Sequence, residues 1–353
     1  MLRPLVLSAF LTLPQIASAE VPRVVTDIGP VESLVATVLG DLATPERLLA
    51  PGASPHHMAL RPSQGRALSE ADVVIWVGPD LTPQLQEQID ALAGSALSLA
   101  LGEAPGTHLL PFRDTGLFPH EHDEHDEHHD EHDDHADGHD DHDDHDDHDD
   151  DHHDDHAEGH HDDHDDDHHD DHAEGHHAHD GHGAHDSHVW LSPENATLWL
   201  TLIAEALSQA DPENAATYTA NAEGGARTIA EAVEQARAVL DPVADRPLAL
   251  AHDAYQYYEE FFDLSVIGAI SDADANTPGP ARLAALRDGL AEQGAACILT
   301  ETSTDPRLLE AVKASGLPSV QLDPLGTDLP QGTALYPALI LETAMRIADC
   351  AGN

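Results

Sequence analysis

Short apolar runs alternate along this chain with stretches whose apolar residues recur at helical spacing, and the alternation occurs twice. In the first half Arg23–Ile28, Arg47–Ala50, Asp72–Val77 and Ala96–Leu99 read as strands. Between them Val31–Leu39, Gln64–Ser69 and Leu81–Leu92 carry the period of a helix. The strands are apolar at consecutive positions, as expected where both faces of a sheet are covered. This alternation predicts a parallel α/β sheet.

A long polar interruption follows. After it, Ser192-Pro193-Glu194-Asn195 opens a helix, with Ser as cap and Pro in the first turn. Pro212–Leu240 is the longest unbroken helical pattern; at ~1.5 Å per residue it would span about 40 Å. Gly224-Gly225 inside it marks a candidate weak point. Strands are then expected at Pro247–Ala251, Val266–Ile270, Ala296–Thr300 and Ser319–Leu322. Helices are expected at Tyr255–Phe262, Arg282–Gln293, Pro306–Ala314 and Ala334–Ala348. The fold class is therefore α/β, with one lobe over 20–211, a linker helix over 212–241 and a second lobe over 242–353. Two such lobes place a cleft between them, and open α/β sheets bind ligands beyond the carboxyl ends of their strands.

The first residues change the picture of where the protein works. Arg3, the apolar run Leu5–Leu13 and Ala17-Ser18-Ala19 before Glu20 have the form of a cleavable secretory signal over 1–19. The apolar part is too short for a membrane anchor. A soluble, exported protein is expected. Cys297 and Cys350 are the two cysteines. An oxidising compartment permits a bond between them, but two thiols alone do not distinguish a disulfide from separate buried side chains.

The interruption itself, residues 120–185, carries the densest chemistry. It holds 25 of the 30 histidines, separated almost entirely by Asp and Glu, with no Lys or Arg. Dense imidazole favours zinc, copper or nickel over calcium or magnesium. The segment Asp154–His161 recurs as Asp170–His177, so composition matters more than any one position. No stable structure is expected there without metal. The run supplies more than half of the formal net charge of −54. The remaining residues are also acidic, which argues against nucleic acid or anionic membranes as partners and fits a cationic ligand.

Five histidines lie outside the run: His56, His57, His108, His188 and His252. His252 follows a strand, His188 precedes a helix, and His56 and His57 follow the strand ending at Ala50. Three or four neutral imidazoles converging at about 2.0–2.1 Å would make a tetrahedral zinc site. His108 reads as a structural residue.

Four local sequences bear on this directly. They are Gly52-Ala53-Ser54-Pro55-His56-His57-Met58-Ala59-Leu60-Arg61-Pro62-Ser63, Asp186-Ser187-His188-Val189-Trp190-Leu191-Ser192-Pro193, Ala251-His252-Asp253-Ala254-Tyr255-Gln256-Tyr257-Tyr258, and Leu322-Asp323-Pro324-Leu325-Gly326. With a histidine-rich acidic stretch before the second motif, the chain resembles the zinc-specific solute-binding proteins of bacterial ABC transporters (cluster A-I, or cluster 9) across its whole mature length. The resemblance implies two (β/α)4-like lobes joined by one long rigid helix, with a metal cleft between the lobes and small closure on binding. It implies His56, His188 and His252 as metal ligands, with His57 at a neighbouring variable position. It places Asp323 where manganese-type members supply a carboxylate, and Glu301 is a weaker candidate for a fourth ligand. It also implies a Cys297–Cys350 disulfide. His252 stands where manganese-type relatives carry a carboxylate, and nitrogen in place of oxygen moves preference toward zinc. Two features depart from the family. The run is unusually long and aspartate-rich, and Pro55 stands where some relatives carry an acidic residue.

The function implied is capture of Zn2+ in the periplasm and its delivery to an ABC permease driven by a cytoplasmic ATPase. The run would act as a metal collector, buffer or sensor. A periplasmic zinc chaperone is a further expected partner, and a monomer is the expected state. The alternative is an exported metal-storage or resistance protein in which the run is the main site. An enzyme is not expected: His-Glu-x-x-His occurs nowhere in the chain.

Overall fold

The computed structural model describes residues 21–57, 59–113, 116–117, 185–271 and 279–352. The signal expected over 1–19 and the run 120–184 lie outside the described residues. The first sheet contains β1 (Val24–Thr26), β2 (Glu46–Arg47), β3 (Val73–Trp76) and β4 (Leu97–Ala100), ordered β2-β1-β3-β4. All of its pairings are parallel. Helices α1 (Gly29–Leu39), α2 (Pro62–Ser69) and α3 (Pro83–Leu92) make the crossovers. Every residue of β3 is buried, the burial that its unalternating apolar pattern implied.

The second sheet draws on both halves of the chain. Its members are β5 (Gly116–Leu117), β6 (Leu248–His252), β7 (Val266–Ser271), β8 (Cys297–Glu301) and β9 (Ser319–Leu322), ordered β5-β7-β6-β8-β9. β6, β7, β8 and β9 are parallel, and β5 pairs antiparallel to β7. No apolar run announced β5. Its pairing depends on Gly268, where a Cβ would lie 2.5 Å from the Gly116 carbonyl oxygen. The strand expected over Arg47–Ala50 is also shorter than its pattern. Leu48 and Leu49 still donate to the carbonyls of Thr26 and Asp27 at 2.8 and 2.9 Å. The turn at Pro51-Gly52, with Gly52 at φ 75°, then carries the chain off the sheet.

The helices of the second half are α4 (Pro193–Ala210), α5 (Ala215–Leu240), α6 (Gln256–Phe262), α7 (Pro280–Glu292), α8 (Pro306–Ser315) and α9 (Leu335–Ala351). Ser192 caps α4 by accepting the Asn195 N–H at 3.2 Å. The long helix α5 follows a short 3-10 turn at Pro212–Asn214 and is continuous for 26 residues. It packs against α1 and α4 on the first-lobe side and α9 on the other. Gly224 and Gly225 therefore do not interrupt it. Gly225 lies where α5 meets its neighbours, and a Cβ there would lie 2.6 Å from the Thr37 methyl and 3.0 Å from Leu200.

The core runs continuously from the first sheet through α4 and α5 to α9. A second cluster beneath the outer face of the second sheet is built from residues such as Ile267, Ile298 and Val312. Polar ties cross between the lobes. Trp190 donates its indole N–H to the Pro324 carbonyl at 2.9 Å, and the Tyr336 hydroxyl donates to the Trp190 carbonyl at 2.8 Å. Cys297 on β8 and Cys350 on α9 form a disulfide with a Cα–Cα distance of 5.8 Å. Among the described residues no helix is long and apolar enough to cross a membrane.

Candidate metal centre

Each histidine of interest sits where an element ends. His56 lies in a 3-10 turn, Pro55–His57, that follows β2 and the Pro51-Gly52 turn. The preceding segment is held from α2, where Gln64 donates to the Leu48 carbonyl. His188 precedes the 3-10 turn Val189–Leu191 that leads into α4. His252 is the last residue of β6. Glu301 ends β8, and Asp323 directly follows β9. The groups of the second lobe thus gather at the carboxyl ends of parallel strands.

His56, His188 and His252 come together, with one ring nitrogen from each lying within 4.8 Å of the others. Their ring centroids are 5.3, 5.8 and 5.2 Å apart. Nitrogens sharing a tetrahedral zinc lie ~3.3 Å from one another, so modest side-chain rotation would close the set. His188 and His252 are buried and His56 is half-buried. They line a cavity of about 290 Å³ together with Trp190, Glu301 and Asp323.

Carboxylates stand behind two of the rings. Asp186 Oδ1 accepts from His188 Nδ1 at 2.7 Å and from the His188 backbone N–H at 3.0 Å. Both Glu301 oxygens lie near His252 Nδ1, at 3.1 and 3.2 Å. With an ionised carboxylate accepting and a neutral ring, each contact places the ring proton on Nδ1 and leaves the lone pair on Nε2. Burial alone would push the Glu301 carboxyl up. The nearby His252 and His188, with hydrogen bonds from His252 and Ser303, hold it below the usual range instead. Carboxylates thus back two of the three imidazoles, an arrangement suited to a divalent cation.

Asp323 lines the same cavity but is not part of the three-histidine grouping. Its Oδ1 accepts the Leu325 N–H at 3.0 Å and its Oδ2 accepts the Thr327 N–H, so the carboxylate caps its own turn. Glu301, read from sequence as a weaker ligand candidate, sits behind His252. His57 shares the 3-10 turn with His56. His108 lies elsewhere, 3.0 Å from Glu260. Sequence reasoning missed Asp186 as the partner of His188. The signal was present, since an acid two residues before a candidate ligand can reach back to its ring.

The family "Zinc-uptake complex component A periplasmic" (ZnuA) matches residues 24–350. The chain belongs to the ZnuA family. The high-affinity zinc uptake system protein ZnuA of Paracoccus denitrificans (strain Pd 1222) is 44% identical over 357 residues, which cover 100% of this chain and 99% of that protein. The protein of the same name from Brucella abortus (strain 2308) is 36% identical over 328 residues, covering 93% and 91%. A crystal structure of ZnuA aligns with a TM-score of 0.66 at 20% identity, over 94% of this chain and 99% of that one, a likeness of fold. ZnuA proteins are periplasmic substrate-binding components that work with an ABC permease and its ATPase, and they are not enzymes.

Proposed function

We propose that this chain captures Zn2+ in the periplasm for delivery to an ABC permease and holds the ion on His56, His188 and His252, with Asp323 as a candidate fourth group. The observation that carries this reading is the three-histidine cluster, two of its rings buried and backed by carboxylates. Imidazole nitrogen with no thiolate suits zinc over manganese or magnesium. Asp323 lies outside the three-histidine grouping and would have to approach it to ligate; otherwise a solvent ligand completes the sphere. The 120–185 run serves as collector, buffer or sensor on this reading, and a periplasmic zinc chaperone is a further partner. The signal-like pattern of residues 1–19 supports export by a cleavable leader. Few large apolar side chains are exposed among the described residues, which supports a monomer.

The test is growth in zinc-poor medium of cells whose own zinc-binding component has been deleted. The chain should restore growth, and His252→Ala should not. Equal growth of the variant would remove the cleft from the transport reading. A protein lacking residues 120–185 should take up less zinc when zinc is scarce; if neither uptake nor zinc stoichiometry changes, the collector role is wrong.

A further inference from the structure

Residues 108–113 form a strap along α6 and the turn before it. His108 lies 3.0 Å from Glu260, and the Leu110 N–H donates to the Tyr257 hydroxyl at 2.9 Å. The strap ends in Arg113, whose guanidinium bridges two carboxylates. Its Nε lies 3.0 and 2.9 Å from the Asp253 oxygens, and its Nη1 lies 2.8 Å from Glu259 Oε2. Nη2 reaches both acids, at 2.5 Å to Asp253 Oδ1 and 2.9 Å to Glu259 Oε1. Asp253 is the residue directly after His252. The same strap holds the other ligand support, because the Leu110 carbonyl accepts the Asp186 N–H at 2.9 Å. The Tyr257 hydroxyl in turn donates to the Asp186 carbonyl at 2.8 Å.

We propose that Arg113 is a positioning residue for metal capture: by bridging Asp253 and Glu259 it fixes the turn that leaves β6, and with it the aim of the His252 ring. The side chains of Arg113, Asp253 and Glu259 are 22%, 4% and 7% exposed. Taking ionisable groups out of water is expensive, and well-packed apolar side chains of similar volume stabilise a fold as well or better. The triad is therefore better explained by the geometry it imposes than by stability. Arginine suits this task because its planar fork meets two carboxylates in fixed directions, which the single ammonium of lysine cannot do. The strap is tied beside two of the three ligands, through Asp253 next to His252 and through Asp186, the partner of His188.

The inference rests on His252 being a ligand, so the test carries His252→Ala in parallel. Full-length Arg113→Met and Arg113→Lys are titrated with zinc against a competing chelator, and the d–d spectrum is recorded with sub-stoichiometric Co2+. Arg113→Met should weaken the tight site about tenfold, the scale of lost outer-shell support, and should alter the Co2+ spectrum. Arg113→Lys should fall between Arg113→Met and wild type. If Arg113→Met does not fold, Arg113→Lys alone decides. A wild-type spectrum and affinity in the folded variants would overturn the proposal. If His252→Ala abolishes tight binding while the Arg113 variants bind normally, only the positioning role fails; if His252→Ala also binds tightly, the reading of the centre itself is wrong.

Discussion

A histidine binds metal through one nitrogen at a time, and at His188 and His252 the other nitrogen already faces a carboxylate, Asp186 or Glu301. That contact selects the tautomer and holds the ring before metal arrives. Metal and proton compete for Nε2. Zinc affinity should therefore fall as the pH drops, because only the neutral imidazole binds metal. Competition titrations at pH 7.5 and 5.5 measure this, and a flat response would argue against three imidazole ligands. Asp27 gives a second pH dependence, in stability. Burial pushes its carboxyl up to about 6, against hydrogen bonds from the Val77 and Ile28 N–H groups. An acid raised in the folded state holds its proton more tightly there than in the unfolded chain. Its stabilising contribution is complete below about pH 4 and is lost as pH rises through about 6, up to ~3 kcal/mol in all. Asp27→Asn should flatten the dependence of the urea midpoint on pH between 4 and 6. An unchanged slope would assign that dependence to other groups.

The long helix α5 makes the element-scale argument most clearly. Two adjacent glycines occupy its middle, and either would ordinarily weaken a helix by about 1 kcal/mol relative to alanine. Their surroundings differ. At Gly224 the nearest atom to an added Cβ is Arg227 Nη2, 3.8 Å away. At Gly225 it is the methyl of Thr37, at 2.6 Å, on a branched side chain with little freedom to turn aside. Gly224→Ala should thus stabilise the protein by up to about 1 kcal/mol, whereas Gly225→Ala should destabilise it by about 1–3 kcal/mol through overpacking. Chemical denaturation of the pair checks both signs, and stabilisation by both would show that the contact yields freely. The helix and the buried parallel strands were legible in the sequence because their apolar periods are long and unbroken. β5 was not, because it spans two residues and depends on backbone approach at Gly268, which leaves no side-chain pattern.

At the scale of the whole molecule, the centre is assembled from distant parts of the chain. His56 comes from the first lobe, His188 from the segment before α4, and His252 from the second sheet. Local motifs singled out these three residues. Hydropathy could not have, since a histidine at a strand end has the same pattern whether it binds metal or a neighbouring acid. The turn-capping role of Asp323 was illegible for a related reason: a carboxylate's partner depends on how a turn closes. The acidic, histidine-rich run poses the main question at this scale, because it offers far more donors than the cleft. On the reading proposed above, the cleft supplies the tight site and the run is accessory. The most direct measurement is a competitive zinc titration of the mature protein and of a version lacking residues 120–185, each with and without His252→Ala. One tight site is expected in both proteins, lost from both on His252→Ala. Loss of all tight binding on deletion of the run, with the three histidines intact, would contradict it and make the run the principal site.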